Sequence, residues 1–183
     1  RQIYDKSNYK LDIKLKKNLA LTGMMGVGKT SIGKLLSKKL SIRFIDVDKV
    51  IENKFNTSIK EIFEKKGEKF FRKLEEKITL QELKKNNIII SLGGGAFINP
   101  KIRKEVLLTC KSFWLNLDIQ TLRSRLLRSK NRPLLANKDL NATLKKLSKE
   151  REKIYALADF KIDCKSLTIN SITKKIIKLY ANN

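Results

Sequence analysis

The sequence predicts an α/β fold, a parallel sheet with helices on both faces, and three observations point to it. Short apolar runs alternate with segments of helical spacing from Asn18 to Tyr180. That alternation is the pattern of strands joined by crossover helices. Two glycine-rich motifs directly follow apolar runs, as ligand loops do at the carboxyl edge of such sheets.

The elements follow in order. Asn18 to Thr22 (NLALT) reads as the first strand and runs into glycine. Lys29 to Leu40 carries Ile32, Leu35, Leu36 and Leu40 at helical spacing. Arg43 to Asp46 is a second short strand, and Val47 to Phe55 a helix. Ser58-Ile59-Lys60-Glu61 fits a capping box, with the serine on the N3 amide and the glutamate reaching back. Gly67 should end that short helix, and a longer one should run from about Glu68 to Asn86. Ile88 to Leu92 is a buried strand. A helix over Ile102 to Leu108 follows Pro100. Then come a strand at Ser112 to Leu117, a helix at Ile119 to Leu127 and a charged loop from Arg128 to Lys138. Helix resumes over Asn141 to Ala158, Phe160 to Asp163 is the last strand, and Ser171 to Tyr180 closes as an amphipathic helix.

A length of 183 residues with 41% hydrophobic content suits one domain with one core. Residues 1–17 are polar and basic without a clear period and read as an N-terminal extension, leaving 18–183 as the domain. The net charge is +24. Nucleic-acid binding or attraction of anionic ligands is one reading of it. A lysine-rich composition is the plainer one, because the positive residues are spread along the chain. The two cysteines, Cys110 and Cys164, form no CxxC pair and His is absent, which argues against a zinc site. Both read as reduced thiols, in keeping with a reducing compartment. No apolar run approaches the ~20 residues of a membrane span, and no signal peptide is visible. The expected location is the cytoplasm. The chain begins without Met, so a removed plastid transit peptide stays open.

Gly23-Met24-Met25-Gly26-Val27-Gly28-Lys29-Thr30 matches G-x-x-x-x-G-K-[ST] in full. The glycines let backbone N–H groups turn toward phosphate oxygens, and the following helix adds its positive end. Lys29 supplies a charge for the outer phosphates and Thr30 a hydroxyl for Mg²⁺. The strand before it and the helix after it are the context that such a loop requires.

Asp46 and Asp48 stand two apart after the second strand. If strand geometry persisted there, both would face the phosphate loop. One could hold Mg²⁺ and the other accept a proton from an attacking hydroxyl; the alternative is a helix-start role for both acids. Gly93-Gly94-Gly95 permits close approach of a ligand to backbone, or is a flexible turn. Arg72 and Glu75 lie three apart on a helix and can touch, which on this stretch alone reads as an ordinary surface pair. Arg132, in Arg132-Pro133-Leu134-Leu135, sits on the charged loop downstream of Arg125 and Arg128. Arginines on such a loop can close over phosphates. Arg128 and Arg151 taken alone read equally as solvated charges.

GMMGVGKTSIGKLL, FIDVD, FRKLEE, SLGGGA, NRPLL and REKIY occur in this order and at these spacings. As a set they resemble the shikimate kinases, over about residues 18–180. The resemblance implies a P-loop three-layer sandwich like that of the nucleoside monophosphate kinases. It further implies a five-stranded parallel sheet of order 2-3-1-4-5, a substrate-binding region at about 47–80 and a mobile lid at about 126–138. It implies transfer of a phosphoryl group from ATP to the 3-hydroxyl of shikimate, on the route to chorismate and the aromatic amino acids, with Mg²⁺ as cofactor. The implied ATP contacts are Gly26, Val27, Gly28, Lys29, Thr30, Ser31, Arg125 and the lid residue Arg132. Thr30 and Asp46 are the implied Mg²⁺ ligands. Asp48 matches the acid at the shikimate hydroxyls, and with Lys29 and Arg132 makes the catalytic set. Arg72 and Arg151 match the pair on the shikimate carboxylate, with Gly93, Gly94 and Gly95 lining the same pocket and Glu75 orienting Arg72. The partners implied are ATP and shikimate, with no nucleic acid or membrane, and a monomer.

Two stretches depart from the family pattern. Lys153 and Ile154 stand where the family has Pro-Leu, and Lys165 to Thr168, on the adenine side, matches only loosely. The remaining alternatives are another small-molecule kinase of this fold acting on a hydroxy acid, and a basic nucleic-acid-binding or non-catalytic protein on the same scaffold.

Overall fold

The structure is a computed structural model and describes residues 15–128 and 139–182. Five parallel strands form one sheet in the order β2-β3-β1-β4-β5. They are β1 (Asn18–Thr22), β2 (Arg43–Asp46), β3 (Ile88–Ser91), β4 (Cys110–Asn116) and β5 (Phe160–Asp163). Every residue of β1 and β3 is buried, while the edge strands β2 and β5 expose part of theirs. Parallel strands need crossovers, and crossover helices cover both faces, so the central strands are apolar throughout.

The helices are α1 (Lys29–Leu40), α2 (Val47–Phe55), α3 (Ile59–Leu83), α4 (Pro100–Thr109), α5 (Ile119–Leu127), α6 (Leu140–Tyr155) and α7 (Ile169–Ala181). Their starts are chemically marked. Ser58 Oγ accepts from the Glu61 amide at 3.2 Å and Glu61 accepts from the Ser58 amide at 3.3 Å, which is the expected capping box. Asn99 with Pro100, Asp118, Asp139 and Thr168 cap four others. The predicted break at Gly67 is a kink within α3, at φ +80°. The long part of α3 ends at Leu83, before the expected Asn86. A short 3₁₀ turn over Ala96–Ile98, absent from the sequence reading, links β3 to α4.

The core reaches slightly upstream of β1. Leu15 is buried, its amide donates to Asn87 Oδ1 at 3.0 Å, and the Lys17 backbone bonds the Tyr180 hydroxyl. Cys110 and Cys164 are both buried free thiols, and burial pushes each up to about 11. Because the strands are parallel, all five carboxyl ends lie along one edge, and the loops after β1, β2 and β3 meet there.

Candidate active site

The loop after β1 wraps its carbonyls around Lys29, whose Nζ donates to Gly23 O at 2.7 Å and Met24 O at 3.0 Å. Gly28 is the residue before α1, in left-handed geometry at φ 107°, and no side chain caps that helix. The first-turn N–H groups are therefore not taken up by a side chain, unlike those of the capped helices. Arg125 of α5 reaches back to the loop, donating to Gly26 O at 3.3 Å and Val27 O at 3.0 Å. Together with Ser31 these groups line a cleft of about 430 Å³. Leu167, Ile169 and Ile172 form its apolar side. Leu167 lies in the loosely matching stretch Lys165 to Thr168, where the sequence marks it only as an aliphatic residue just past the last strand.

Strand geometry does not persist through the DxD pair. Asp46 ends β2 in extended geometry and caps α2, accepting from the Lys49 amide, while Asp48 already lies in the first helical turn. The two acids converge nonetheless, because both sit at the start of α2 at the sheet edge. Asp46 Oδ2 accepts from the Thr30 hydroxyl at 2.6 Å.

A second cavity, of about 300 Å³, holds Asp46, Asp48, Arg72, Glu75, Gly93–Gly95 and Arg151. Arg72 and Glu75 are not a surface pair. Glu75 is 2% exposed, and its Oε1 takes Arg72 Nη1 at 2.8 Å. Burial lifts the Glu75 carboxyl above its ordinary value, with Arg72 and then Arg151 opposing. Burial works against the Arg72 charge, but Glu75 and Glu68 outweigh it and hold the guanidinium above its usual value. Arg151 is 8% exposed rather than solvated, and donates to Gly94 O at 3.1 Å.

Close approach accounts for two of the three glycines. A Cβ on Gly93 would lie 2.5 Å from Glu75 Oε2 and 3.0 Å from Asp48 Oδ1; one on Gly95 would strike the Arg72 guanidinium at 2.6 Å. The apolar wall, Ile59, Phe63 and Phe71, was not anticipated. The Phe63 and Phe71 rings lie 4.7 Å apart between centroids. Phe71 directly precedes Arg72, and Phe63 occupies the first half of α3.

The two cavities share Met25, Thr30, Asp46, Asp48 and Gly94. The phosphate loop and the arginine-lined pocket thus open onto each other at the paired acids. Arg132 lies outside the described residues, as do positions 129–138 of the expected lid.

A family model described as shikimate kinase matches residues 25–181. The chain belongs to the shikimate kinase family. A shikimate kinase of Caldanaerobacter subterraneus is 37% identical over 164 residues, covering 90% of this chain and 96% of that one. One from Thermodesulfovibrio yellowstonii is 40% identical over 164 residues, covering 90% and 95%. The Acinetobacter baumannii shikimate kinase solved in complex with shikimate superposes with a TM-score of 0.88 at 31% identity, covering 91% of this chain and 94% of that one. A Sinorhizobium meliloti gluconokinase reaches a TM-score of 0.61 at 11% identity, a likeness of fold alone.

The family's P-loop sandwich and strand order 2-3-1-4-5 are thus those of this chain. For a shikimate kinase, the departure at Lys153 and Ile154 is mild: α6 runs through both to Tyr155 and keeps Arg151 in the pocket. Among the described residues no helix is long and apolar enough to cross a membrane.

Proposed function

We infer that the chain transfers the γ-phosphoryl group of ATP to the 3-hydroxyl of shikimate. The observation that carries this is the junction of the two cavities at Asp46 and Asp48, with a phosphate loop on one side and two arginines on the other. Shikimate is a carboxylate with three hydroxyls. A carboxylate is matched by guanidinium forks, and Arg72 and Arg151 supply two. The hydroxyl to be phosphorylated needs an acceptor for its proton, and Asp48 stands between the arginines and the loop. Gly93–Gly95 let the ring approach backbone closely. On the other side the N–H groups of Gly26 to Thr30 and the Lys29 ammonium hold the phosphates, with Ser31 and Arg125 along the nucleotide.

The residues fit Mg²⁺. Thr30 and Asp46 already meet through a hydroxyl–carboxylate bond at the mouth of both cavities. Among the described residues no group of three or more Cys, Asp or Glu could hold an ion alone, so the ligand set is completed by phosphate oxygens and water. The ion supplies charge neutralisation for the transferring group. Arg132 is assigned the same task from the lid. Phosphoryl transfer asks mainly for placement and charge compensation, and this pocket is organised to supply both. The same reading takes the enzyme to act as a monomer without a nucleic-acid partner.

The test is an assay coupled to ADP release with shikimate and gluconate as acceptors. Turnover of shikimate is expected. Activity on gluconate but not on shikimate would overturn the reading in favour of another hydroxy-acid kinase. Salt-resistant oligonucleotide binding without kinase activity would favour the non-catalytic alternative.

A further inference from the structure

Behind the acceptor pocket, at the end of α6, stands a tyrosine whose hydroxyl is buried among the groups that shape the pocket. Tyr155 is 1% exposed. Its hydroxyl donates to the Gly94 carbonyl oxygen, the same atom that accepts from Arg151 Nη1 at 3.1 Å. A carbonyl has two lone pairs, so one oxygen satisfies both donors. Arg151 and Tyr155 lie four apart on one helix face. Burial lifts the phenol above its ordinary value, against the pull of Arg151, so the hydroxyl keeps the proton it donates. The ring has little freedom: it packs on Trp114 at 5.9 Å between centroids, and the hydroxyl lies 4.0 Å from the Met24 sulfur.

Resting on the assignment of Arg151 and Gly94 to the acceptor, we propose that Tyr155 is a positioning residue for shikimate. Its hydroxyl pins the Gly94 carbonyl and, through it, the Arg151 guanidinium, so that the remaining Arg151 N–H groups face the acceptor carboxylate. Without the hydroxyl, the carbonyl retains, among the described residues, the arginine as its one side-chain donor, and Arg151 can turn with it. Acceptor binding then suffers, while the loop that holds phosphate, anchored by Lys29 and Arg125, does not.

The test is Tyr155→Phe, which keeps the ring and its packing. Calorimetric titration with shikimate, and separately with adenylyl imidodiphosphate and Mg²⁺, gives the two affinities. The shikimate Kd should rise roughly 3- to 10-fold, the range of a lost hydrogen bond between neutral groups. The analogue Kd should stay within about twofold and the melting temperature within about 3 °C. A shikimate Kd within about twofold of wild type overturns the proposal. Equal weakening of both ligands also overturns it, since that marks the hydroxyl as general support. A wild-type chain that binds no shikimate instead sinks the assignment on which the proposal rests. If Tyr155→Phe does not fold, a chain with Tyr4, Tyr9 and Tyr180 replaced by Phe and 3-fluorotyrosine incorporated carries one label. Its ¹⁹F resonance should shift with shikimate and hold still with the nucleotide analogue; an unmoved resonance overturns the proposal.

Discussion

About half of the cleft at the phosphate loop is drawn from one continuous stretch, Met25 to Ile32, and that half works chiefly through backbone atoms. The acceptor pocket is drawn from α2, α3, the loop after β3 and α6, and works chiefly through charged side chains. Local sequence therefore specifies the phosphate loop almost alone, because glycine spacing and a following helix are enough to turn amides outward. The acceptor pocket exists only when four distant segments pack correctly. Its charges support one another: Glu75 holds Arg72, while the Gly94 carbonyl holds Arg151.

Substitutions at each half should separate the two. The largest effect is expected from Asp48→Asn, at the junction: kcat should fall by roughly 10²- to 10⁴-fold, the usual range for a lost acid–base group, with ATP affinity preserved. Near wild-type turnover would remove the acid from its assigned role. Arg72→Ala should raise the shikimate KM roughly 10- to 100-fold, about 1.5–3 kcal/mol for a charged hydrogen-bonded contact. The ATP KM should hold, and a matching rise there would erase the distinction between the halves.

Glu75→Gln sharpens the comparison through pH. Burial lifts the Glu75 carboxyl above 4.5 in the folded chain, so the folded state keeps a proton that the unfolded state has released. Stability from this group is full below the unfolded value and declines as pH rises through the lifted one, by up to about 1.4 kcal/mol per pH unit. Chemical denaturation from about pH 4 to about pH 8 should show wild type losing stability relative to Glu75→Gln as pH rises. A flat difference would mean that Arg72 fully offsets the burial. The smallest effect belongs to the nucleotide side. Arg125→Ala should raise the ATP KM roughly two- to tenfold, the loss of ordinary hydrogen bonds to the loop, and leave the shikimate KM unchanged in steady-state kinetics.

The same contrast explains what was legible beforehand. Among the described residues, the five strands and seven helices follow from apolar runs, helical spacing and caps such as Ser58 with Glu61, except that α3 is one kinked helix where the sequence pattern suggests two meeting at Gly67. The phosphate loop could be read from eight residues. Arg72 and Arg151 were not assignable from their own neighbourhoods, since a helical arginine near a glutamate is usually solvated; only the joint motif set singled them out. The DxD pair reached the right place for a different reason, a helix start instead of a continued strand. Phe63 and Phe71 escaped notice because an aromatic residue on an amphipathic helix looks like ordinary core. Tyr155 did so too, because a hydroxyl hidden behind a glycine carbonyl leaves no mark on spacing.

The two buried thiols carry a practical consequence. Cys110 and Cys164 are the only cysteines in the chain, and at about 11 neither forms much thiolate near neutrality. Maleimide reagents should therefore pass over the native protein. A cysteine introduced at the exposed Lys60, on the rim of the acceptor pocket, would take a single fluorophore, and pocket occupancy could be followed optically without first stripping out either natural sulfur.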